Sequence, residues 1–495
     1  MTLASRPPGH DRGVKNPPRK LSSSGPWSAA RVAIALQGVL LFACGAHPGP
    51  ARAAPPASPD VKPPGARPRV VVVSIDGMMP ETYLAPDAHG LQVPTLRQLA
   101  RRGAVARVNS VFPSVTYPAH TTLVTGVPPR VHGITTNRPP DALDKNQAGW
   151  RWYAEDIAAP TLWQAVAAQG RQVGLIEWPV TMGAQVSFLV PEYWRAGTGD
   201  DQKLLRAIST PGLLAAVERD HPDLWSHLTP PNVADAAQFA IASYLLAHED
   251  PDLLLLHVWR TDDMEHDHGP WSPQAKAAFE QVDRHLGELL AQLERSPRWP
   301  ATTLVVVSDH GFASSDREIR LNVLFQRKAL VTLRDEDRAV VSARVAVSAN
   351  GGLAFVYAAD AEAAAIAERE VRALGPSIGR VYSRAEVVAL GGDSSLAFAV
   401  TAAPGHQFGD RRTGEVVVEA PGRGTHGYPP ADPAMRASFL AVGPGVPPGD
   451  LGVIDMTSIA PTLAAWVQAP LPTAMAPPLS LVREQAPSGP KGSGR

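Results

Sequence analysis

Three aspartates follow strongly apolar segments of the sequence, close to the point where each segment ends. Asp76 follows the run VVVVSI, Asp262 comes three residues after LLLLHVW, and Asp309 follows TLVVVS. In open α/β sheets, ligands bind beyond the carboxyl ends of the strands, so we expect these side chains at one edge. Converging carboxylates repel one another unless cations neutralise them. One such aspartate alone more often caps a loop, but three together predict a cation site.

Histidines accompany two of these aspartates, and a third histidine lies in a glycine-flanked segment. His266 is four residues after Asp262, on the same side of a turn or helix, and His310 directly follows Asp309. His426 lies in the segment GTHGY. Each of these histidines alone is more often structural than a ligand. Three aspartates and three histidines nevertheless suffice for two metal sites with three protein ligands each. Two metal ions about 3.5–4 Å apart can hold both a nucleophile and a phosphate oxygen.

The segment 112–120, FPSVTYPAH, offers candidate nucleophiles before a helix-like stretch at 119–124. A hydroxyl at the start of a helix lies near free backbone N–H groups, which favour anions. Threonine is a poor nucleophile until a metal ion lowers its pKa. On local evidence Thr116 would more often be a helix N-cap, and Ser114 and Thr121 are equally eligible as nucleophiles.

The elements that would position these residues are apolar segments that alternate with helical patterns. Continuous apolar runs favour strands buried on both faces. Such runs cover residues 70–75, 173–176, 253–259 and 303–308. Helical patterns cover residues 95–102, 161–169, 234–247 and 273–293. The alternation predicts an α/β fold with a mainly parallel central sheet and helices on both faces.

Residues 319–420 differ from this pattern, because strand-like segments and glycine turns surround an Ala/Glu-rich helix at 361–374. We interpret them as a smaller α+β insertion in a catalytic domain made of residues 69–318 and 421–482. The α/β pattern resumes with a strand at 437–442, and a last helix begins near 456–458.

Residues 1–54 have the composition of an export signal and leader. A basic start precedes a 12-residue apolar stretch at 32–43, which is too short to span a bilayer. The segment Ala51-Arg52-Ala53 offers a cleavage site, which we slightly favour. Leu41 to Cys44 resembles a lipobox and would instead place a lipid anchor at Cys44. We therefore predict a periplasmic or secreted protein, free or lipid-anchored.

The bulk composition argues against a nucleic-acid-binding protein and limits which residue types can serve as metal ligands. The chain has 495 residues, 44% hydrophobic and 19% charged, with a formal net charge of −1. Since nucleic-acid-binding proteins usually present a basic face, we expect no specific nucleic-acid-binding surface. Cys44 is the one cysteine, so an intramolecular disulfide is excluded and metal ligands must be His, Asp or Glu. The proline-rich composition of residues 55–68 predicts a linker. The polar composition of the tail at 483–495 predicts that it is disordered.

Taken together, these motifs resemble the nucleotide pyrophosphatase/phosphodiesterase family of the alkaline phosphatase superfamily, over about residues 69–470. Each motif alone is weak evidence, whereas the ordered set is a strong signal. The matching segments, in family order, are Ile75-Asp76-Gly77-Met78, 112–120, Leu123-Val124-Thr125-Gly126, His132-Gly133-Ile134 with Asn137, 262–270, Ser308-Asp309-His310-Gly311, Gly424-Thr425-His426-Gly427 and Ile459-Ala460-Pro461-Thr462-Leu463.

The resemblance implies two Zn²⁺ ions and a division of the ligands between them. One ion would be held by Asp262, His266 and His426. The other would be held by Asp76, Asp309 and His310, with Thr116 coordinating it as the nucleophile. The implied reaction is in-line attack by Thr116 on a phosphate diester or nucleotide pyrophosphate, giving a phosphothreonine that water then hydrolyses. Asn137 and the backbone N–H of Thr116 would hydrogen-bond the phosphoryl oxygens.

Several residues depart from the family's pattern. Tyr117 and Ala119 replace Phe and Asn in the nucleophile segment, and Glu265 stands where glycine commonly precedes the metal histidine. None of them is an implied ligand, but they leave the substrate class open. Trp178, in the segment EWP, either stacks on a leaving group or packs at the end of a strand.

Other functions stay open beside the diesterase. A sulfatase is set aside because the nucleophile segment lacks the arginine of C/S-x-P-x-R. A phosphomonoesterase or a phosphonate hydrolase could use the same metals. A monoesterase needs an extra cation by its substrate, for which Arg130, Arg138 and Arg195 are candidates. A non-catalytic zinc-containing binding protein is a remote alternative, since all six ligands, Thr116 and Asn137 are present. For the enzyme hypotheses we expect a small phosphate ester as the partner.

Overall fold

The computed structural model describes residues 67–146, 149–194, 199–226 and 235–481. All of them belong to one compact unit of the chain, 63–495. The export leader, Cys44 and the tail at 483–495 lie outside the described residues, so these predictions stay untested. Within the described ranges, no helix is both long enough and apolar enough to cross a membrane.

The strands, in chain order, are β1 Arg69–Ile75, β2 Ala104–Asn109, β3 Val173–Ile176, β4 Phe188–Val190, β5 Leu253–Val258, β6 Thr302–Val307, β7 Ala313–Ile319, β8 Val331–Leu333, β9 Val340–Ala343, β10 Val345–Asn350, β11 Leu353–Ala358, β12 Ile378–Ser383, β13 Phe398–Ala402, β14 Gly405–Phe408, β15 Val417–Thr425, β16 Ala437–Val442 and β17 Gly449–Asp455.

The α-helices are α1 Glu81–Leu84, α2 Pro86–His89, α3 Pro94–Arg102, α4 Thr116–Thr125, α5 Pro129–His132, α6 Leu162–Ala167, α7 Gly199–Ile208, α8 Leu213–Asp220, α9 Ala236–His248, α10 Arg260–His268, α11 Pro273–Arg295, α12 Leu321–Arg327, α13 Ala361–Arg372, α14 Arg384–Ala389 and α15 Ile459–Val467. Short 3₁₀ turns lie at Ala154–Asp156, Leu224–Ser226, Trp299–Ala301, Gly375–Ser377, Pro433–Met435 and Met456–Ser458.

An eight-stranded central sheet has the order β17-β2-β16-β6-β1-β5-β3-β4. Strand β16 is antiparallel to both of its neighbours, and the other pairings are parallel. The predicted α/β fold with a mainly parallel sheet is therefore confirmed. Strand β1 lies between β5 and β6, and Ser74 pairs with His257 on one side and Val307 on the other. Because parallel strands end at the same edge of a sheet, the residues that follow these three strands meet there.

Helices cover both faces of the central sheet. Val71, Val73 and Ile75 pack into one core with side chains of α3, α9 and α11. Val70 and Val72 pack into a second core with side chains of α4, α6 and α15. Burial on both faces explains why β1 is a continuous apolar run, and each buried valine contributes about 1.5–3 kcal/mol.

Smaller sheets follow β6 in the chain. A four-stranded sheet with the order β10-β11-β13-β12 is antiparallel and lies within the predicted insertion, as does α13. A three-stranded sheet joins β14, β7 and β15. The predicted boundaries of the insertion, 319 and 420, fall inside β7 and β15, so the domain division stays a prediction.

Two elements differ from the predicted bounds near the candidate site. Helix α4 begins at Thr116 rather than near 119. Pro118 fits in this first turn because the backbone N–H that proline lacks would have no partner within the helix there. Strand β5 ends at Val258, which leaves Trp259 at the edge of the sheet, immediately before α10.

Candidate metal centre and active site

The three predicted aspartates converge at the carboxyl edge of the central sheet. Asp76 directly follows β1, Asp309 lies two residues after the end of β6, and Asp262 lies in the first turn of α10. Asp76 Oδ1 and Asp262 Oδ1 are buried and have no hydrogen-bond partner among the described residues, and Asp309 Oδ2 is buried beside His310 Nε2. Buried carboxylate oxygens are normally paired, so these fit a bound cation.

One group of candidate ligands is built on α10 and the end of β15. His266 Nε2 lies 3.5 Å from Asp262 Oδ2, because the two residues are one helical turn apart. His426 Nε2 lies 3.7 Å from Asp262 Oδ1. The ligand atoms of all three lie within 4.8 Å of one another. These are the three residues that the resemblance assigns to one metal ion.

A second group is built on the ends of β1 and β6. Ligand atoms of Asp76, Asp262 and His310 also lie within 4.8 Å of one another. His310 Nε2 is 3.4 Å from Asp76 Oδ1 and 3.0 Å from Asp309 Oδ2. Asp262 is therefore a member of both groups. Asp309 is not a member of the second group but lies beside it, in contact with His310.

Backbone carbonyls orient the three histidines. The Nδ1 atoms lie close to such oxygens: His266 to Gly424 at 3.1 Å, His310 to Gly311 at 3.2 Å and His426 to Ser114 at 3.0 Å. In its neutral form, a histidine that donates from Nδ1 to a carbonyl presents an unprotonated Nε2, as a metal ligand requires. In all three residues Nε2 faces the carboxylates.

The cluster carries an excess of negative charge in a buried place. Burial, and then the carboxylates of Asp309 and Asp262, raise the pKa of Asp76 well above its usual value. Burial also raises the pKa of Asp262. Burial lowers the pKa of His310, but the carboxylates of Asp309, Asp76 and Asp262 together outweigh it and raise the pKa to about 9. A bound cation would relieve the repulsion among these carboxylates.

The structure separates the three candidate nucleophiles. Thr116 is the first residue of α4, after the N-cap Val115, and its Oγ1 lies 3.5 Å from His310 Nε2. Ser114 and Thr121 are fully buried, and their hydroxyls donate to backbone carbonyls, at 3.1 Å and 2.8 Å. Thr116 lines a cavity that the candidate metal ligands also line, which singles it out.

Asn137 lies beside Thr116 in the same cavity. Its Oδ1 accepts a hydrogen bond of 2.9 Å from the backbone N–H of Tyr117, at the second position of α4. This bond fixes the orientation of the amide and leaves Nδ2 as a donor for a ligand in the cavity.

The cavity has a volume of about 540 Å³ and an aromatic wall. Trp150, Trp194 and Trp259 line it together with the candidate ligands. The rings of Trp150 and Trp194 are 5.2 Å apart, and those of Trp194 and Trp259 are 6.1 Å apart. Trp178, for which two positions were open, is 1% exposed and packs edge-on against His120, so it does not line the cavity.

Neither Arg130 nor Arg138, two of the arginines predicted as extra cations, lines the cavity that holds Thr116. Arg130 is exposed, and its backbone N–H donates a hydrogen bond to the backbone carbonyl of Gly391. Arg138 pairs with Asp410 at 3.3 Å and lines an adjoining cavity of about 480 Å³, which Asn137, His266 and His426 also line. Arg195 lies outside the described residues. Arg260, which sequence reasoning missed, does line the aromatic cavity and pairs with Asp263 at 3.3 Å.

Comparison with known proteins decides the family. The model of the type I phosphodiesterase / nucleotide pyrophosphatase family matches residues 70–429, well over half of the chain. The chain belongs to this family. The match covers the segments of all six candidate ligands, Thr116 and Asn137.

The chain spans about half the length of the curated family members it matches. Bis(5'-adenosyl)-triphosphatase enpp4 of Xenopus laevis is 30% identical over 263 residues, covering 52% of this chain and 50% of that protein. Human ectonucleotide pyrophosphatase/phosphodiesterase family member 7 is 25% identical over 290 residues, covering 57% and 56%.

Solved structures of family members share the fold. Human ectonucleotide pyrophosphatase/phosphodiesterase 5 has a TM-score of 0.58 and 21% identity, covering 83% of this chain and 97% of that chain. An inactive murine form of the same protein, in complex with AMP, also has a TM-score of 0.58 and 21% identity, covering 82% and 96%. These structures confirm the alkaline phosphatase-like architecture.

Glu265, one of the departures from the family pattern, lies in α10 between Asp262 and His266. It is fully buried, and neither carboxylate oxygen has a hydrogen-bond partner among the described residues. Burial, and then Asp262, raise its pKa well above the usual value. A Cβ at Gly77, where φ is +71°, would lie 2.9 Å from Glu265 Oε2. Glycine is therefore required after Asp76.

Sequence reasoning also missed His257 and Glu192, which line the cavity behind Asp76. His257 Nε2 lies 3.1 Å from Asp76 Oδ2, and Nδ1 lies 3.2 Å from Glu192 Oε2. The sequence does carry a signal for His257, because it interrupts an otherwise apolar strand, LLLLHV. A polar side chain in a buried strand needs partners, but the strand does not say which.

Proposed function

We propose that this chain is an exported, zinc-dependent hydrolase of phosphate diesters or nucleotide pyrophosphates that uses Thr116 as its nucleophile. The observation that supports this most is the position of the Thr116 hydroxyl. It lies at the start of α4, 3.5 Å from His310 Nε2, in a cavity that it shares with candidate metal ligands. A hydroxyl placed in this way can attack a phosphorus atom held between the metal ligands and the helix start.

The ligand set fits two Zn²⁺ ions. Histidine nitrogens and carboxylate oxygens are usual zinc ligands, and three protein ligands leave an open position for substrate. One ion would be held by Asp262, His266 and His426, and the other by Asp76, Asp309 and His310. Bound zinc would lower the pKa of a hydroxyl and neutralise negative charge on phosphoryl oxygens.

The residues of the chain have separate tasks in the proposed reaction. The Thr116 hydroxyl gives up its proton and its oxygen forms a bond to phosphorus, while the bond from phosphorus to the leaving-group oxygen breaks. This gives a phosphothreonine and a leaving group that takes up a proton from solvent. Water then hydrolyses this ester, releasing the phosphoryl product and restoring the Thr116 hydroxyl. Asn137 Nδ2 and the backbone N–H of Thr116 would donate to the phosphoryl oxygens as charge develops on them.

The walls of the cavity favour a diester over a monoester. A monoester carries a second negative charge that an extra cation must neutralise. Arg260 lines the cavity but is paired with Asp263, and Arg138 lines the adjoining cavity but is paired with Asp410. The tryptophan wall suits a flat leaving group or a nucleobase, because aromatic rings stack on one another. Nucleotide esters are therefore the substrates to test first.

The test compares wild type with Thr116→Ala and Thr116→Ser on an aryl phosphate diester and on the matching monoester. We expect wild type to have the higher kcat/KM on the diester. Thr116→Ala should lose at least about 10³-fold in kcat, because removal of a nucleophile leaves only binding and charge stabilisation. Thr116→Ser keeps a hydroxyl and should retain measurable turnover.

Zinc content, measured for each variant, is the control, since the six carboxylate and imidazole ligands remain in Thr116→Ala. Unchanged diester hydrolysis by Thr116→Ala would show that another group is the nucleophile. A strong monoester preference would indicate a phosphomonoesterase, and activity on neither ester would favour a phosphonate hydrolase or a zinc-containing binding protein.

A further inference from the structure

His257 is a fully buried polar residue of the central sheet that the proposed reaction does not use. It lies in β5, which pairs with β1 on one side and β3 on the other. Its ring packs against the ring of His120, with centroids 4.4 Å apart. The contact with His120 holds the ring, and the pairing of β5 with β1 and β3 holds the backbone of His257.

The Nε2 side of His257 divides the two oxygens of Asp76 between separate partners. Nε2 lies 3.1 Å from Asp76 Oδ2, within hydrogen-bond distance. Asp76 Oδ1 has no hydrogen-bond partner among the described residues and lies 3.4 Å from His310 Nε2. One oxygen is therefore fixed by His257, and the other is left facing the candidate metal ligands.

The Nδ1 side of His257 is anchored as well. Nδ1 lies 3.1 Å from the backbone oxygen of Glu177, with hydrogen-bond geometry, and 3.2 Å from Glu192 Oε2. The other carboxylate oxygen of Glu192 accepts a bond of 3.0 Å from the hydroxyl of Tyr117. Because Tyr117 follows Thr116, Glu192 connects the support of Asp76 to the start of α4.

We propose that His257 is a positioning residue for Asp76, which it orients toward the metal through the hydrogen bond from Nε2. The proposal rests on the metal dependence of the proposed function. Groups that hydrogen-bond a metal ligand fix its orientation, and their loss typically lowers metal affinity about 10- to 100-fold.

Two polar substitutions separate the two sides of the ring. In His257→Gln the side-chain amide nitrogen can occupy the place of Nε2 and keep the bond to Asp76. In His257→Asn it reaches only the place of Nδ1, so the bond to Glu177 is kept and the bond to Asp76 is lost. We expect Zn²⁺ affinity within about three-fold of wild type for His257→Gln. For His257→Asn we expect one of two Zn²⁺ ions to bind about 10- to 100-fold more weakly.

The measurement is competition for Zn²⁺ between the full chain and a chromophoric chelator, with no substrate present. Thermal unfolding of the metal-free proteins shows whether each variant folds. Wild-type Zn²⁺ affinity in both variants would overturn the proposal. An equal loss of affinity in both would also overturn it, because the loss would then follow from removal of the imidazole ring rather than of the hydrogen bond to Asp76. If His257→Asn fails to fold, His257→Gln decides: Zn²⁺ affinity within about three-fold of wild type supports the proposal, and any larger loss overturns it.

The outcome is distinguishable from failure of the proposed function. Wild type that binds Zn²⁺ but hydrolyses no phosphate ester would contradict the proposed reaction and leave the affinity comparison intact. Wild type that hydrolyses diesters while both variants bind Zn²⁺ normally would contradict the role of His257 alone.

Discussion

At the scale of single residues, the site depends on side chains whose two ends have different partners. The Oδ1 atom of Asn137 is committed to the backbone N–H of Tyr117, and Nδ2 is left toward the cavity. Asp76 is divided in the same way between His257 and the candidate metal. In both cases a buried hydrogen bond fixes the orientation in which the functional atom is presented.

Asn137 gives a prediction at this scale. Asn137→Ala should lower kcat for the diester by about 10²- to 10³-fold, because one donor to the phosphoryl oxygens is lost. Asn137→Asp keeps the acceptor for the N–H of Tyr117 but replaces the donor by a negative charge. If Asn137 donates to the substrate, kcat of Asn137→Asp should be as low as that of Asn137→Ala or lower. Recovery of wild-type kcat in Asn137→Asp would show that Asn137 only caps α4.

At the scale of elements, each functional group depends on where a helix or strand begins or ends. Helix α10 places Asp262 and His266 one turn apart, and helix α4 begins at Thr116. The end of β5 at Val258 releases Trp259 into the cavity wall. Its indole N–H donates to Glu177 Oε2 at 3.1 Å, which fixes the ring.

Trp259 gives a prediction at the scale of elements. In Trp259→Ala we expect KM for thymidine 5'-p-nitrophenyl phosphate to rise about ten-fold, since stacking of a base on an aromatic side chain is worth about 1–3 kcal/mol. Trp259→Phe is the matched control, because it keeps an aromatic face. KM for ethyl p-nitrophenyl phosphate, which has the same leaving group and no base, should change little. An equal rise for both esters would place Trp259 at the leaving group instead.

At the scale of the whole molecule, we expect metal binding and folding to be coupled. The central sheet brings Asp76, Asp262 and Asp309 together in a buried place, and burial raises the pKa of Asp76 and Asp262. The native protein without metal therefore holds carboxylates under mutual repulsion, which the unfolded chain does not. A ligand that binds only the native state stabilises it, by about 4 kcal/mol at a thousand times its Kd.

Metal removal gives the prediction at this scale. Dialysis against a chelator should lower the unfolding temperature by several degrees, and added Zn²⁺ should restore it, as measured by calorimetry. Asp262 belongs to both ligand groups, so Asp262→Asn should abolish most of this zinc-dependent rise. Asp263→Asn removes the neighbouring carboxylate and should retain the zinc-dependent rise in unfolding temperature. A rise that is equal in the two variants would place the metal elsewhere.

The sequence by itself determined which residues are candidate ligands and where they lie along the chain. Apolar runs mark strands buried on both faces, and acids at their ends must lie at one edge of a parallel sheet. This local information predicted the fold class and the convergence of Asp76, Asp262 and Asp309. The ordered motifs predicted the family as well.

Only the tertiary structure decided between alternatives that are locally equivalent. It places Thr116 on the cavity wall and buries Ser114 and Thr121, which offer the same hydroxyl chemistry within one segment. It also assigned the aromatic wall to Trp259 and its neighbours rather than to Trp178. The bond between His257 and Asp76 joins residues 181 positions apart. Sequence patterns report the burial of each residue within its own element, but which buried side chains touch is set by how distant elements pack.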